Sequence, residues 1–194
     1  GQYVANAIFA EQMTEHARNS EFAILYRTNS QSRAFEEALR KLNIEYRIIG
    51  GISFYQRKEI KDLLAYCRLV INPDDEEALK RVINYPARGI GDTTIDKITI
   101  QAKELDTSLW MVAKNIDDFP EFDRRAKNAV TEWVNMIYAF HLQVHNKNAY
   151  DLVNEVAKAS GILSHLYEDK SIEGIGRYEN LQELLGAIKE FGER

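Results

Sequence analysis

Phe22-Ala23-Ile24-Leu25-Tyr26, followed at once by Arg27-Thr28-Asn29-Ser30, decides how the front of this chain is read. Five apolar or aromatic residues in a row, closed by a polar turn, have the length of a strand buried on both faces. The turn can cap a helix whose apolar positions Phe35, Ala38, Leu39 and Leu42 are spaced i, i+3, i+4, i+7. Ile44, Tyr46 and Ile48 then alternate as in a second strand, which Gly50-Gly51 ends. Upstream, Val4, Ala7 and Ile8 begin a helical face that stops near Arg18-Asn19-Ser20. Downstream, Ile60, Leu63, Leu64 and Cys67 mark a helix that stops at Asn72-Pro73. Strand, helix, strand and helix in this order predict part of an α/β layer with a parallel sheet. Two strands cannot stand alone, so the expectation is a truncated domain.

After Pro73 the character changes. Asp74 or Asp75 can cap a helix with Ala78, Leu79, Val82 and Ile83 inward, and further helices carry Ile95, Ile98, Ala102 and Leu105, then Leu109, Val112 and Ala113. A long one runs through Ala126, Val130, Trp133, Ile137, Phe140 and Val144. Another holds Leu152, Val153 and Val156 and closes at Gly161, and a last one holds Leu181, Leu184, Leu185, Ile188 and Phe191. The chain therefore reads as an α/β segment over 1–71 followed by an all-α domain over 72–194, predominantly helical overall.

Hydrophobic residues at 45% and charged residues at 28% fit a soluble globular protein. No apolar run approaches the ~18 residues of a membrane span, and the first residues lack the basic-then-apolar plan expected of a signal peptide. One cysteine excludes an internal disulfide, and Cys67 lies on an apolar helical face, as a buried small hydrophobe would. A reducing, cytoplasmic setting is expected. The net charge of −5 argues against a surface coated for nucleic acid, but residues 80–103 run the other way. There Lys80, Arg81, Arg88, Lys97 and Lys103 stand against only Asp92 and Asp96, which is either a local positive patch able to grip phosphates or ordinary surface variation.

No phosphate-cradling G-x-x-x-x-G-K-[ST] loop occurs, and no apolar strand ends in an acidic pair that would hold magnesium. His141 and His145 have i, i+4 spacing but lack the glutamate of a zinc hydrolase motif and an obvious third ligand, so no metal site is expected. The positive signals are two. Tyr26 and Arg27 stand at the C-terminal end of the first strand, where α/β proteins bind ligands. An arginine there can neutralise charge on a transferring phosphate and a tyrosine can stack on a base, or they can cap the sheet and form a salt bridge. In Arg88-Gly89-Ile90-Gly91-Asp92-Thr93-Thr94, glycines before a helix expose backbone N–H groups to a DNA phosphate, and Thr93 and Thr94 add hydroxyls. The alternative is a plain inter-helix turn. Gly174-Ile175-Gly176 lacks the capping pair and reads as a turn.

Leu25-Tyr26-Arg27-Thr28-Asn29-Ser30-Gln31-Ser32-Arg33 resembles motif IV of superfamily 1 DNA helicases of the UvrD/Rep/PcrA type. The run from Gly50-Gly51 through Phe54 and Arg57 to Glu59-Ile60-Lys61-Asp62 is similar to that family's "GG…F…R.EIKD" segment. Pro86-Ala87-Arg88-Gly89-Ile90-Gly91 and Arg177-Tyr178-Glu179-Asn180-Leu181-Gln182-Glu183-Leu184 match further blocks, in family order, from about residue 20 to 190. The resemblance implies a parent enzyme that moves 3′ to 5′ on single-stranded DNA with ATP and Mg2+. Residues 1–71 would begin its second RecA-like domain, and 72–194 would be the inserted helical domain. By position, Tyr26 would stack on adenine and Arg27 would act as a catalytic arginine finger. Gly50, Gly51, Phe54 and Arg57 would lie along the single-strand track, unless the glycines form a plain turn. Arg88, Gly89, Ile90, Gly91, Thr93 and Thr94 would contact duplex DNA. The expected partners are DNA, as single strand and duplex junction, and the remaining helicase domains, with no membrane. With the nucleotide loop and magnesium acids missing, the isolated chain is expected to bind no cofactor and hydrolyse no ATP. A helical protein-interaction module and a parent fused to a nuclease stand as alternatives.

Overall fold

The computed structural model describes residues 1–49 and 51–192. Among these residues there are ten α-helices: α1 (Gln2–Glu15), α2 (Ser32–Lys41), α3 (Lys58–Ile71), α4 (Glu76–Val82), α5 (Asp92–Glu104), α6 (Leu109–Lys114), α7 (Arg124–His141), α8 (Ala149–Ala159), α9 (Ile162–Glu168) and α10 (Ile172–Gly192). Several start where side chains replace missing backbone acceptors. Asp75 accepts from the Ala78 N–H at 3.0 Å and Asp123 from the Ala126 N–H at 2.7 Å. Gly161 follows α8 at φ 81°, a left-handed position that glycine occupies without strain.

Among the described residues there is no β-strand, and the two expected strands are a correction. Residues 22–26 and 44–48 run extended but make no sheet hydrogen bonds. A strand exists only through its neighbours' hydrogen bonds, and none is supplied here. The apolar side chains that a sheet would cover stand open: Leu25 is 93% exposed and Ile49 88%. A cleft of about 550 Å³ separates the two segments, lined by Phe22, Ile24, Leu25, Ile44, Ile48 and Ile49.

Among the described residues, three apolar clusters hold the fold. The smallest joins Ala5 and Ile8 of α1 to Ala38 and Leu39 of α2 and to Ile44. The largest packs Tyr66 and Leu69 of α3 against Val82, Ile90, Ile98, Trp133 and Ile137. The third sets Phe54, Ile60 and Leu63 against Ala157, Ile162, Leu166 and Leu181. Burying each such side chain is worth about 1.5–3 kcal/mol. Helix α3, which the sequence puts before the boundary at 71, contributes one face to each of the two larger clusters. It is the spine on which the helical part is built.

α10 corrects a second expectation. Gly174-Ile175-Gly176 is not a turn but lies inside this helix. A Cβ on Gly174 would stand 2.4 Å from the Asp169 carbonyl oxygen, so the helix passes close against the end of α9 only because that residue is glycine. Cys67 is half-buried and burial pushes its thiol up to about 12, which leaves it protonated and inert. Among the described residues no helix is long and apolar enough to cross a membrane.

Candidate functional site

Tyr26 and Arg27 leave the first extended segment side by side and line a cleft of about 450 Å³ with Leu25, Gln31, Phe35 and Glu183. The Tyr26 ring stacks on Phe35, centroids 6.1 Å apart and planes 22° from parallel. Arg27 is exposed, and among the described residues no carboxylate lies within 4 Å of its guanidinium. Its backbone is held instead: the Arg27 and Thr28 N–H groups both donate to Gln31 Oε1, at 3.0 and 3.3 Å. A cation tied at its root and free at its tip can meet an anion entering the cleft. Among the described residues no three His, Cys, Asp or Glu side chains are grouped to hold a metal ion. His141 instead places Nδ1 2.8 Å from the Val70 carbonyl oxygen.

The segment after the second extended stretch is arranged differently from expectation. Gly50 lies outside the described residues. Gly51 is exposed, with its nearest neighbour, an Ile48 methyl group, 3.7 Å from where a Cβ would sit. Phe54 is fully buried in the third cluster, and Arg57 is 7% exposed. Arg57 Nη1 donates to Asn180 Oδ1 at 2.7 Å, and Nη2 to Ser32 Oγ at 2.8 Å. Burial lowers its pKa, while the nearby Glu36 and Glu59 carboxylates oppose that and keep it charged. Neither side chain faces solvent, so in this arrangement neither is presented to a DNA strand: Phe54 packs in the cluster that holds Leu181 of α10, and Arg57 joins α10 to the start of α2.

Around that arginine a polar network closes. Ser32 Oγ donates to Glu36 Oε1 at 3.0 Å, the Phe54 N–H reaches the same oxygen at 2.9 Å, and Asn180 Nδ2 donates to Glu59 Oε1 at 2.5 Å. Beside it Arg33 bridges Glu183, at 2.8 Å, and Glu37, at 2.9 Å, while Tyr55 donates its hydroxyl to Glu37 at 2.6 Å. Burial works against charge on Glu37, but the bonds from Tyr55 and Arg33 hold its carboxyl below the usual range. Three blocks far apart in sequence, Ser32-Arg33, Phe54 to Glu59 and Asn180 to Glu183, thus meet in one place.

The glycine hairpin precedes α5. Asn84 organises it, its Oδ1 accepting from the Arg88 N–H at 2.9 Å and the Ile90 N–H at 3.2 Å. Gly89 sits at φ 84°, the left-handed region, and Gly91 is the N-cap of α5. The N–H groups of Thr94 and Ile95 bond back to the Gly91 carbonyl, leaving those of Asp92 and Thr93 without helical acceptors at the positive end of the dipole. Thr93 is exposed and Thr94 half-buried. Ile90 is buried in the largest cluster and anchors the hairpin. Arg88 is also turned inward: it donates to the Tyr66 hydroxyl at 2.9 Å and the Ser160 carbonyl at 3.0 Å. Arg125 is exposed beside the hairpin, its Nη2 3.7 Å from where a Gly89 Cβ would stand, and among the described residues it forms no ion pair. Asn84 and Arg125 were not singled out from the sequence. The Arg124-Arg125 pair at a helix start within an acidic half was the available signal.

Comparison with known proteins identifies the family. The family model described as UvrD-like helicase C-terminal domain matches residues 1–194. The chain is 39% identical over 194 residues to the ATP-dependent DNA helicase PcrA of Bacillus subtilis, covering 100% of this chain and 26% of that protein. It is 37% identical over 172 residues to DNA helicase II of Escherichia coli, covering 89% and 24%, and 35% identical over 192 residues to a probable DNA helicase II homolog of Rickettsia felis, covering 99% and 29%. It spans about a quarter of the length of these relatives. A match along the whole chain places it: the chain belongs to the UvrD-like helicase C-terminal domain family.

Proposed function

We propose that the chain is a segment of an ATP-dependent 3′ to 5′ DNA helicase, supplying one wall of the ATP site and a contact to duplex DNA at a junction. The observation that carries this is the exposed Arg27 guanidinium, unpaired among the described residues, beside Tyr26 on an open cleft, whereas Arg33, Arg57 and Arg88 are all tied inward. Tyr26 offers a ring face to a base, and Arg27 offers charge to the γ-phosphate. ATP supplies the phosphoryl group whose hydrolysis drives movement. The donor set fits one side of that nucleotide only, so the phosphate cradle and magnesium ligands belong to other parts of the parent. Residues 1–71 serve as the start of a RecA-like domain, and its extended segments 22–26 and 44–48 become strands when further strands cover Leu25 and Ile49. Residues 72–194 serve as the helical insertion, touching duplex phosphate through Gly89, Gly91, the Thr93 N–H and Arg125.

Measured alone, the 194-residue chain should hydrolyse no ATP with or without DNA, whereas Arg27→Ala in the full-length helicase should lower kcat by about 10³-fold. DNA-stimulated turnover by the isolated chain, or an unchanged kcat in the variant, would sink the assignment of Arg27.

A further inference from the structure

We propose that Gln31 is a positioning residue for Arg27, holding the arginine's main chain so that its guanidinium meets the phosphate; this rests on the ATP-site reading above. Gln31 Oε1 accepts from both the Arg27 and the Thr28 N–H, at 3.0 and 3.3 Å. On the other side of the same peptide, the Tyr26 ring stacks on Phe35 of α2. The Arg27 Cα is thus fixed from two directions while its side chain stays free.

The base from which Gln31 reaches is itself braced. The next residue, Ser32, is 2% exposed and bonded to Arg57 and Glu36, and Arg33 is paired to Glu183 of α10. Glu183 lines the same cleft as Arg27 and Gln31. The Arg33–Glu183 pair thus ties to α10 the short backbone stretch 31–33 from which Gln31 reaches the Arg27 peptide. A long, flexible side chain on a fixed root samples a narrower cone than one on a loose loop. A misplacement of about 1 Å at a reacting group costs up to about 10²-fold in rate.

The plainer reading is that Gln31 only starts α2, in which case its loss lowers stability without touching the chemistry. Steady-state ATP hydrolysis by the full-length helicase, with saturating single-stranded DNA, separates the two. Gln31→Ala is expected to lower kcat about tenfold with KM for ATP changed less than about twofold, because the contact acts on the arginine in the transition state. In the Arg27→Ala background the same change should have no further effect. Gln31→Met, which keeps the length and removes the acceptor, serves where the alanine variant unfolds, and thermal unfolding reports the fold of each. An unchanged kcat for Gln31→Ala and Gln31→Met, with Arg27→Ala still severe, overturns the positioning role alone. Independent, multiplicative losses in the double variant overturn it as well. A harmless Arg27→Ala removes the ATP-site reading, and the inference with it.

Discussion

Arg57 and Asn180 stand 123 positions apart in sequence and are joined by a 2.7 Å hydrogen bond from Nη1 to Oδ1, buried on both sides. Asn180 passes the contact on, donating to Glu59. An amide here suits its neighbours better than any charged group, since it accepts from a cation and donates to an anion at once.

Asn180→Ala leaves the buried Glu59 carboxylate without its donor and leaves the Arg57 guanidinium with Ser32 as its remaining hydrogen-bond partner. The expected cost is about 3 kcal/mol, the scale of an orphaned buried charge. Urea unfolding of the isolated chain measures it, and a loss under about 1 kcal/mol would mean that water or a neighbour replaces the amide.

The Tyr55–Glu37 bond predicts stability falling at both ends of the pH scale. Glu37 is held below its usual 4.5, so its contribution is full above that value and is lost as pH falls through the lower folded value. Tyr55 is pushed up to about 12 by burial and then by Glu37, so its contribution is full below 10 and is lost as pH rises through about 12. Both groups are partly exposed, which limits each effect to about 1 kcal/mol. Glu37→Gln should flatten the acid limb of a stability–pH curve, and Tyr55→Phe the alkaline limb. Variants that track the parent curve at both ends would show that the pair is uncoupled from folding.

Two glycines in α10 should respond oppositely to alanine. At Gly174 a Cβ would meet the Asp169 carbonyl oxygen at 2.4 Å, whereas at Gly176 nothing lies within 4 Å. Gly174→Ala is expected to destabilise by about 1–3 kcal/mol through overpacking. Gly176→Ala should stabilise by about 0.5–1 kcal/mol through helix propensity. Thermal unfolding of the pair checks this, and equal shifts would contradict the close approach of α9 and α10.

These glycines also mark how far the sequence could be read. Apolar spacing located the inward faces at Leu39, Ile60, Leu63, Val130 and Ile137, because burial follows helical period whatever lies opposite. It found the caps at Asp75 and Gly161 for the same local reason. It missed the passage of α10 through two glycines, since tertiary packing overrides propensity there. It expected strands at 22–26 and 44–48, whose existence depends on partners no local pattern supplies. That Tyr26 and Arg27 would share one site could be read because the two are neighbours in sequence, and they line the same cleft. The inward turn of Arg57 and Arg88 could not, because Asn180 and the Ser160 carbonyl are distant in sequence. An arginine near a glycine reads as a phosphate ligand until its acceptors are known.

The duplex contact is the claim most directly open to measurement. Fluorescence anisotropy at low salt, with a labelled duplex carrying a single-stranded tail, reads binding by the isolated chain. The expected result is weak binding that declines steeply with added salt. Gly89→Ala with Gly91→Ala should weaken it by about tenfold, since Gly89 at φ 84° strains any other residue and shifts the exposed N–H groups. Arg125→Ala should weaken it and reduce the salt slope by about one ion. No binding at low salt, or full binding by both variants, would contradict the assignment of the hairpin to DNA.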